Sequence, residues 1–332
     1  MKDTHATVPS TRTTGRTGPH DSTASSGWTG PILVGVGPEG RLSDGTLEFA
    51  VTTALQLEIG VELLHVVPRL IGGPAGTSEV GIGFEQLVSQ GQVLLDEAVR
   101  RVRDRVSGAQ PVSGRLVRGA VIDTLVEQSA FAQMVVLEHR DLPRWERWGS
   151  GSVTAGVAAR AHAPVVSVPA TWRPGDHPRP ITVAVEDAER AGAEIWTALG
   201  LAAVNDARVV VLRATYLPPA IEEMMRHEVS HEQMLVSARA ELAHDVNLPD
   251  EICERVPCTF AVRWGRPADV LVAASERSSL LVVARRDPAL PFGSHLGPVL
   301  RQVLREATCP VLVVEPSPLP GEVPVAAAAG VH

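Results

Sequence analysis

Along the chain, short runs of consecutive apolar and mostly β-branched residues alternate with longer segments whose apolar positions recur at helical spacing. In the first half the runs are ILVGV (Ile32–Val36), VELLHVV (Val61–Val67), GRLVRG (Gly114–Gly119), MVVLE (Met134–Glu138) and VVSVP (Val165–Pro169). In the second half they are ITVAV (Ile181–Val185), RVVVLRA (Arg208–Ala214), FAVRWG (Phe260–Gly265), LLVVA (Leu280–Ala284) and VLVVE (Val311–Glu315). Unbroken apolar runs of this length suit strands buried on both faces, as in a parallel sheet covered by helices. Between them lie amphipathic segments such as Leu47–Glu58, Leu94–Val106 and Ala268–Ser278. The alternation predicts an α/β protein made of two doubly wound parallel-sheet sandwiches, five strands each.

The segment WRPGDHPRP (Trp172–Pro180) holds three prolines and one glycine, which break any regular element and mark a linker. The two halves match in register. VRGAVIDTLVEQSAFAQMVVLEHRD (Val117–Asp141) lies over VRWGRPADVLVAASERSSLLVVARRD (Val262–Asp287), and Gly119/Gly265, Asp141/Asp287, Gly151/Gly297 and Pro164/Pro310 all stand 146 positions apart. A constant offset over four anchors indicates a duplicated unit. The expected organisation is a first domain over 29–172, a linker over 173–180 and a second domain over 181–316. Residues 1–28 and 317–332, rich in Thr, Ser, Pro, Gly and Ala, lack the aliphatic content to offset ordering entropy and are expected to be disordered tails.

With 332 residues and 44% hydrophobic content the chain has enough apolar side chains for two cores. Thirty Lys and Arg against 38 Asp and Glu give a net charge of −8, so the electrostatic footprint of a nucleic-acid binder is missing. Cys253, Cys258 and Cys309 are too few and too irregular for a disulfide framework. No apolar run approaches the roughly 18 residues that span a bilayer, and the N-terminus lacks an apolar signal core. The expectation is a cytoplasmic protein without a membrane partner.

Gly35, Gly37 and Gly40 form a Gly-x-Gly-x-x-Gly pattern at the end of the first apolar run. In a dinucleotide fold the third glycine opens the helix and the second strand ends in an acidic residue for the ribose. Here the helical pattern starts only near Ser43–Thr46 and the second strand ends LLHVV, with His65. The surroundings do not support a dinucleotide site.

The opening strand, the Leu63–Val67 strand, the Val117–Gly119 strand-turn and the closing segments AHAPVVSVP and ATCPVLVVEP together resemble a tandem universal stress protein, over roughly 28–172 and 178–316. The resemblance implies an adenine-nucleotide-hydrolase-like, Rossmann-like fold in each half. In the nucleotide-binding branch of that family an acid at the end of the first strand holds adenosine. A Gly-x-x-Gly, nine residues, then Gly-Ser/Thr wraps the phosphates, with backbone N–H groups and a helix N-terminus facing the anion. Carried onto this chain, the first repeat has Gly37 at the acidic position, Glu138 and Asp141 at the loop glycines, and keeps Gly151-Ser152. The second repeat has Glu186 at the acidic position, Ala284 and Asp287 at the loop glycines, and Gly297-Pro298 at the end. Carboxylates near a polyanion have unfavourable sign, and Pro298 lacks an N–H. Both phosphate wraps are therefore expected to be degenerate. An anion site of altered design is an alternative in the first repeat, where Gly149, Ser150, Gly151 and Ser152 open a helix beside Arg140, Arg144 and Arg147. The other reading pairs those arginines with Asp141 and Glu146.

Other patterns point to known chemistry without its context. HEVSH (His227–His231) has the spacing of a zinc peptidase helix, but Arg226 and Glu232 flank it and no third ligand is evident, so no metal site is expected. HRDLPRWE from His139 resembles a kinase catalytic loop, yet Glu146 stands where that loop needs Asn. His65 and His162 fall at a strand end and a helix end and read as structural. Trp145 and Trp148 suit either a partner contact or packing over the domain edge.

No nucleophile, base and orienting acid stand together in a recognisable motif. The expected function is a non-enzymatic stress-response protein that acts by binding an unidentified protein or small ligand, without a cofactor. The alternative is an ATP-binding stress protein using the first repeat's Gly-Ser loop. The resemblance implies that the fifth strands pair, giving an intramolecular pseudo-dimer, with a homodimer also open. Each copy is expected to keep its own sheet, the two sitting back to back.

Overall fold

The structure, a computed structural model, describes residues 30–38, 42–68, 78–139, 152–175, 179–216, 231–286 and 296–317. The first repeat contains β1 (Ile32–Val36), α1 (Asp44–Gln56), β2 (Val61–Val67), α2 (Ser78–Val106), β3 (Val112–Arg118), α3 (Val121–Ser129), β4 (Met134–His139), α4 (Val153–Ala158) and β5 (Val165–Pro169). The second contains β6 (Ile181–Ala184), a single 3-10 turn (Ala188–Arg190), α5 (Gly192–Val204), β7 (Val209–Thr215), α6 (His231–Val246), α7 (Asp250–Arg255), β8 (Cys258–Trp264), α8 (Pro267–Ser275), β9 (Leu280–Ala284), α9 (Pro298–Glu306) and β10 (Val311–Val314).

The helix ends follow from local chemistry. Ser43 caps α1, its side chain accepting from the Thr46 N–H, and Asp44 places a carboxylate at the positive end. Leu47, Ala50, Val51 and Ala54 give α1 a buried stripe. The helix stops where Glu58 turns to φ 55 and the Ile59 N–H returns to the Ala54 carbonyl at 3.0 Å.

Each repeat folds as a parallel sheet in the order third, second, first, fourth, fifth strand. The doubly wound arrangement leaves a crevice at the C-terminal ends of the first and fourth strands, where the strand order reverses. The two half-sheets join through β5 and β10, which pair antiparallel with Val311 opposite Ser167, Leu312 opposite Val166 and Val313 opposite Val165. The result is one ten-stranded sheet, β3-β2-β1-β4-β5-β10-β9-β6-β7-β8. This bears out the pairing of the fifth strands. It corrects the expectation of separate sheets back to back, because the copies meet edge to edge. The reason is physical: an unpaired fifth strand would present a row of open N–H and C=O groups, and joining the two edges satisfies both.

Alternation along the strands divides the core into two layers, and each layer draws on both repeats. Ile32, Val34, Val166, Val183, Leu312 and Val314 pack on one face with α1, α2, α5 and α6. Leu33, Val135, Val165, Leu281 and Val313 pack on the other with α3, α4, α8 and α9. Both repeats belong to a single compact unit. Among the described residues no helix is long and apolar enough to cross a membrane.

Candidate functional site at the strand ends

In the first repeat the chain leaves β1 at Gly37, which is exposed, and a Cβ there would meet nothing within 4 Å. No acid stands at this position to hold a ribose. Next to it, at the end of β4, the Glu138 carboxylate turns across to the start of α1. Its Oε2 accepts the Ser43 N–H and the Thr46 hydroxyl, the latter at 2.9 Å. The Thr46 N–H in turn donates to the Ser43 Oγ at 3.2 Å. The positive end of α1 thus already carries a negative charge, supplied by a residue standing where the family's loop has glycine.

Arg140, Gly149, Ser150 and Gly151 lie outside the described residues, as do Asp141, Trp145 and Trp148. Ser152 is described and caps α4, accepting the Ala155 N–H at 3.3 Å. With six residues, α4 has too few aligned peptides for a strong dipole at its start.

The second repeat is open at the same level. A cleft of about 690 Å³ lies over the ends of β6, β7 and β9, lined by Glu186, Arg190, Arg213, Arg286 and Gly297 and by apolar residues that include Leu212 and Val283. Glu186 does not face the cleft as a free acid. Arg286 Nη2 donates to both of its oxygens, at 2.6 and 2.8 Å. Both residues are exposed, so the pair adds at most about 1 kcal/mol to stability. Its importance is positional. A Cβ on Gly297 would lie 3.4 Å from the Arg286 Cδ and 3.7 Å from its Nε, so the arginine lies along the start of α9. Gly297 is the N-cap of that helix and Pro298 its first residue, which offers no N–H. The helix start that would face a phosphate is lined by an arginine already neutralised by Glu186. Ala284 ends β9 as expected, and Asp287 lies outside the described residues.

Three residues that sequence reading did not single out shape this region. Glu194, in the first turn of α5, lines the cleft and is only 4% exposed. Its Oε2 has no hydrogen-bond partner, and burial pushes its carboxyl up to about 7. The signal in the sequence is a glutamate in register with Ala198 and Ala202, on the buried stripe of α5. Arg213, on β7, lines the same cleft, with its Nη2 3.8 Å from Asp245 and its Nε buried without a partner. Arg285, just past β9, crosses to the first repeat. Its Nη1 donates to the Ala161 and Ala159 carbonyls at 3.0 and 3.4 Å, closing the C-terminal end of α4, and its Nη2 pairs with Glu315 at 3.0 Å.

His65 is buried, its Nδ1 3.0 Å from the Val36 carbonyl. The His227–His231 motif lies outside the described residues apart from the backbone of His231, which opens α6. Among the described residues no three His, Cys, Asp or Glu side chains converge as a metal-holding group. All three cysteines are free thiols. Burial pushes Cys309 up to about 12, and burial together with the adjacent Cys253 does the same to Cys258.

The sequence model of the Universal stress protein family matches residues 29–169 and again 178–315. A universal stress protein of Mycobacterium tuberculosis is 26% identical over 305 residues, covering 85% of this chain and 94% of that one. Another from the same organism is 29% identical over 231 residues, 68% of this chain and 77% of that protein. Among solved structures, a universal stress protein from Archaeoglobus fulgidus shares the fold with a TM-score of 0.59 at 12% identity, over 87% of this chain and 98% of that one. With the family's pattern met twice along one sheet, the chain belongs to the universal stress protein family, as a tandem of two such units.

Proposed function

We propose that this protein is a non-enzymatic stress-response protein that binds a small ligand or a partner, and that neither repeat retains the family's triphosphate wrap. The two domains of this reading are 29–172 and 181–316, with tails at 1–28 and 317–332; Ser317 is the described start of the second tail, and its carbonyl accepts the Gly192 N–H at 2.8 Å. The observation that carries the proposal is the Glu138 carboxylate on the Ser43 N–H and the Thr46 hydroxyl. Glu138 stands at the first loop-glycine position, so an anion brought to the end of β4 would meet its carboxylate at close range with repulsive sign. In the second repeat the Arg286–Glu186 pair along Gly297, and the missing N–H of Pro298, support the same reading. The hydroxyl–carboxylate contact at the first crevice, Thr46 on Glu138, supports a structural role and not catalysis, since Thr46 is 0% exposed and closed to a substrate.

Titration of the full chain with labelled ATP, with and without Mg²⁺, tests this. The proposal expects millimolar affinity or none and no release of phosphate. Micromolar affinity abolished by Gly151→Asp would instead establish a nucleotide site at the first repeat's Gly-Ser loop.

A further inference from the structure

The second-repeat cleft holds a buried acceptor that the protein itself leaves unmet. Glu194 is 4% exposed, lines the cleft, and its Oε2 has no hydrogen-bond partner. A buried carboxyl oxygen without a partner is destabilising, and a bound ligand that donates to it is one way to complete it. The volume of about 690 Å³ is that of a site for a small organic molecule, and its walls combine apolar side chains with a few polar groups.

The charged groups around Glu194 come from each element that packs on α5. Glu186 and Asp187 follow β6, Arg190 belongs to the 3-10 turn, Arg213 to β7, and Arg285 and Arg286 follow β9. Most of them are engaged elsewhere: Glu186 with Arg286, Asp187 with the Glu189 N–H, and Arg285 with Glu315 and two carbonyls, while Arg213 has Asp245 at 3.8 Å and keeps its Nε without a partner. Burial raises the proton affinity of Glu194, and the hydrogen bond from its own backbone N–H opposes that rise in part. A desolvated carboxylate is stabilised above all by a cation that donates to it.

We propose that this cleft binds a small apolar molecule bearing a nitrogen cation, an amine or an amidine, whose N–H groups donate to Glu194 while its apolar part lies against Leu212 and Val283. The proposal rests on the reading that the cleft is not a triphosphate site. The bound form holds Glu194 ionised, so binding below neutrality displaces its proton. Affinity therefore rises with pH through the range in which free Glu194 loses that proton.

The test is calorimetric titration of the full chain with phenethylamine and benzamidine, and with 3-phenylpropionate as the anionic isostere, at pH 6, 7 and 8. Both cations are expected to bind and the carboxylate to fail. Affinity should increase about tenfold from pH 6 to pH 8, with release of about half a proton at pH 7, read from two buffers of different ionisation enthalpy. Glu194→Gln, checked for native fold by circular dichroism, should weaken the cations at least about tenfold and abolish the pH dependence. The proposal is overturned if neither cation binds, if the carboxylate binds as well, or if Glu194→Gln binds as wild type does. Mg²⁺-ATP titrated under the same conditions separates the two readings. Micromolar ATP binding sinks the proposed function, whereas silent cations together with silent ATP sink only the assignment of the ligand.

Discussion

Val166 and Leu312 face each other across the antiparallel β5–β10 pair, and they stand 146 positions apart, the same offset that relates the two repeats. The flanking pairs, Ser167 with Val311 and Val165 with Val313, exchange under that offset. The junction is therefore an isologous contact about a pseudo-twofold axis, as in a dimer of identical subunits, but made within one chain. It also occupies the fifth-strand edge of both copies, so a further dimer would need another surface.

Leu312 is 0% exposed at this junction and packs in the apolar layer on one face of the sheet. Leu312→Asp places an unpaired charge there and is expected to cost on the order of 4 kcal/mol or more. Val236→Asp, at a position 64% exposed on α6, should change stability by less than about 0.5 kcal/mol. Equilibrium urea unfolding of both variants checks the contrast, and equal effects would show that the junction is not part of the core.

Glu138→Ala removes the carboxylate from the Ser43 N–H and the Thr46 hydroxyl. The loss of a charge-assisted cap is expected to lower stability by about 1–3 kcal/mol. Hydrogen exchange should localise the effect to the first turn of α1. A variant as stable as wild type would mean that water replaces the carboxylate at no cost.

The Glu194 carboxyl, raised from 4.5 to about 7 by burial, makes stability depend on pH with a definite sign. Between these values the folded state holds a proton that the unfolded chain has released. The contribution is fully present below about pH 4.5 and is lost as pH rises through 7. The full loss is on the order of 3 kcal/mol. Unfolding free energies of wild type and Glu194→Gln from pH 5 to 8 should diverge in this window, the wild type losing stability relative to the variant. Parallel curves would refute the assignment.

Arg285 is 12% exposed on its side chain and donates across the repeats to the carbonyls of Ala159 and Ala161. Arg285→Lys keeps the charge but cannot reproduce the planar fork that reaches these carbonyls and Glu315 together. The expected loss is about 1–2 kcal/mol, and Arg285→Ala should lose more, measured by the same unfolding assay. If lysine restored full stability, charge alone would account for the contact.

The apolar runs fix β1, β2, β5 and β9 to the residue, because those strands are buried on both faces and nearly every position is apolar. The edge strands β3 and β8 begin two residues earlier than their runs, at Val112 and Cys258, where an exposed polar residue, Ser113 or Thr259, interrupts the apolar signature. α2 starts at Ser78, well before the amphipathic stretch from Leu94, since Gly81, Gly83 and Gly91 interrupt the helical signal of its first part. At the site, motif register located Gly37, Glu138, Ser152, Glu186 and Gly297 at strand ends and helix starts. It could not show that Glu186 is held by a residue 100 positions away, nor that Glu138 reaches back to Ser43. Those pairings exist only once the sheet brings distant loops together, and Glu194 becomes a functional candidate only when its burial is known.

The most direct measurement is a crystal structure of the full chain grown in excess Mg²⁺-ATP. The account predicts Glu138 on the Ser43 N–H and the Thr46 hydroxyl, Arg286 along Gly297 and paired with Glu186, and no triphosphate at the ends of β1 and β4 or of β6 and β9. A triphosphate bound at the ends of β1 and β4 or of β6 and β9, with Glu138 or Arg286 swung aside to admit it, would contradict it.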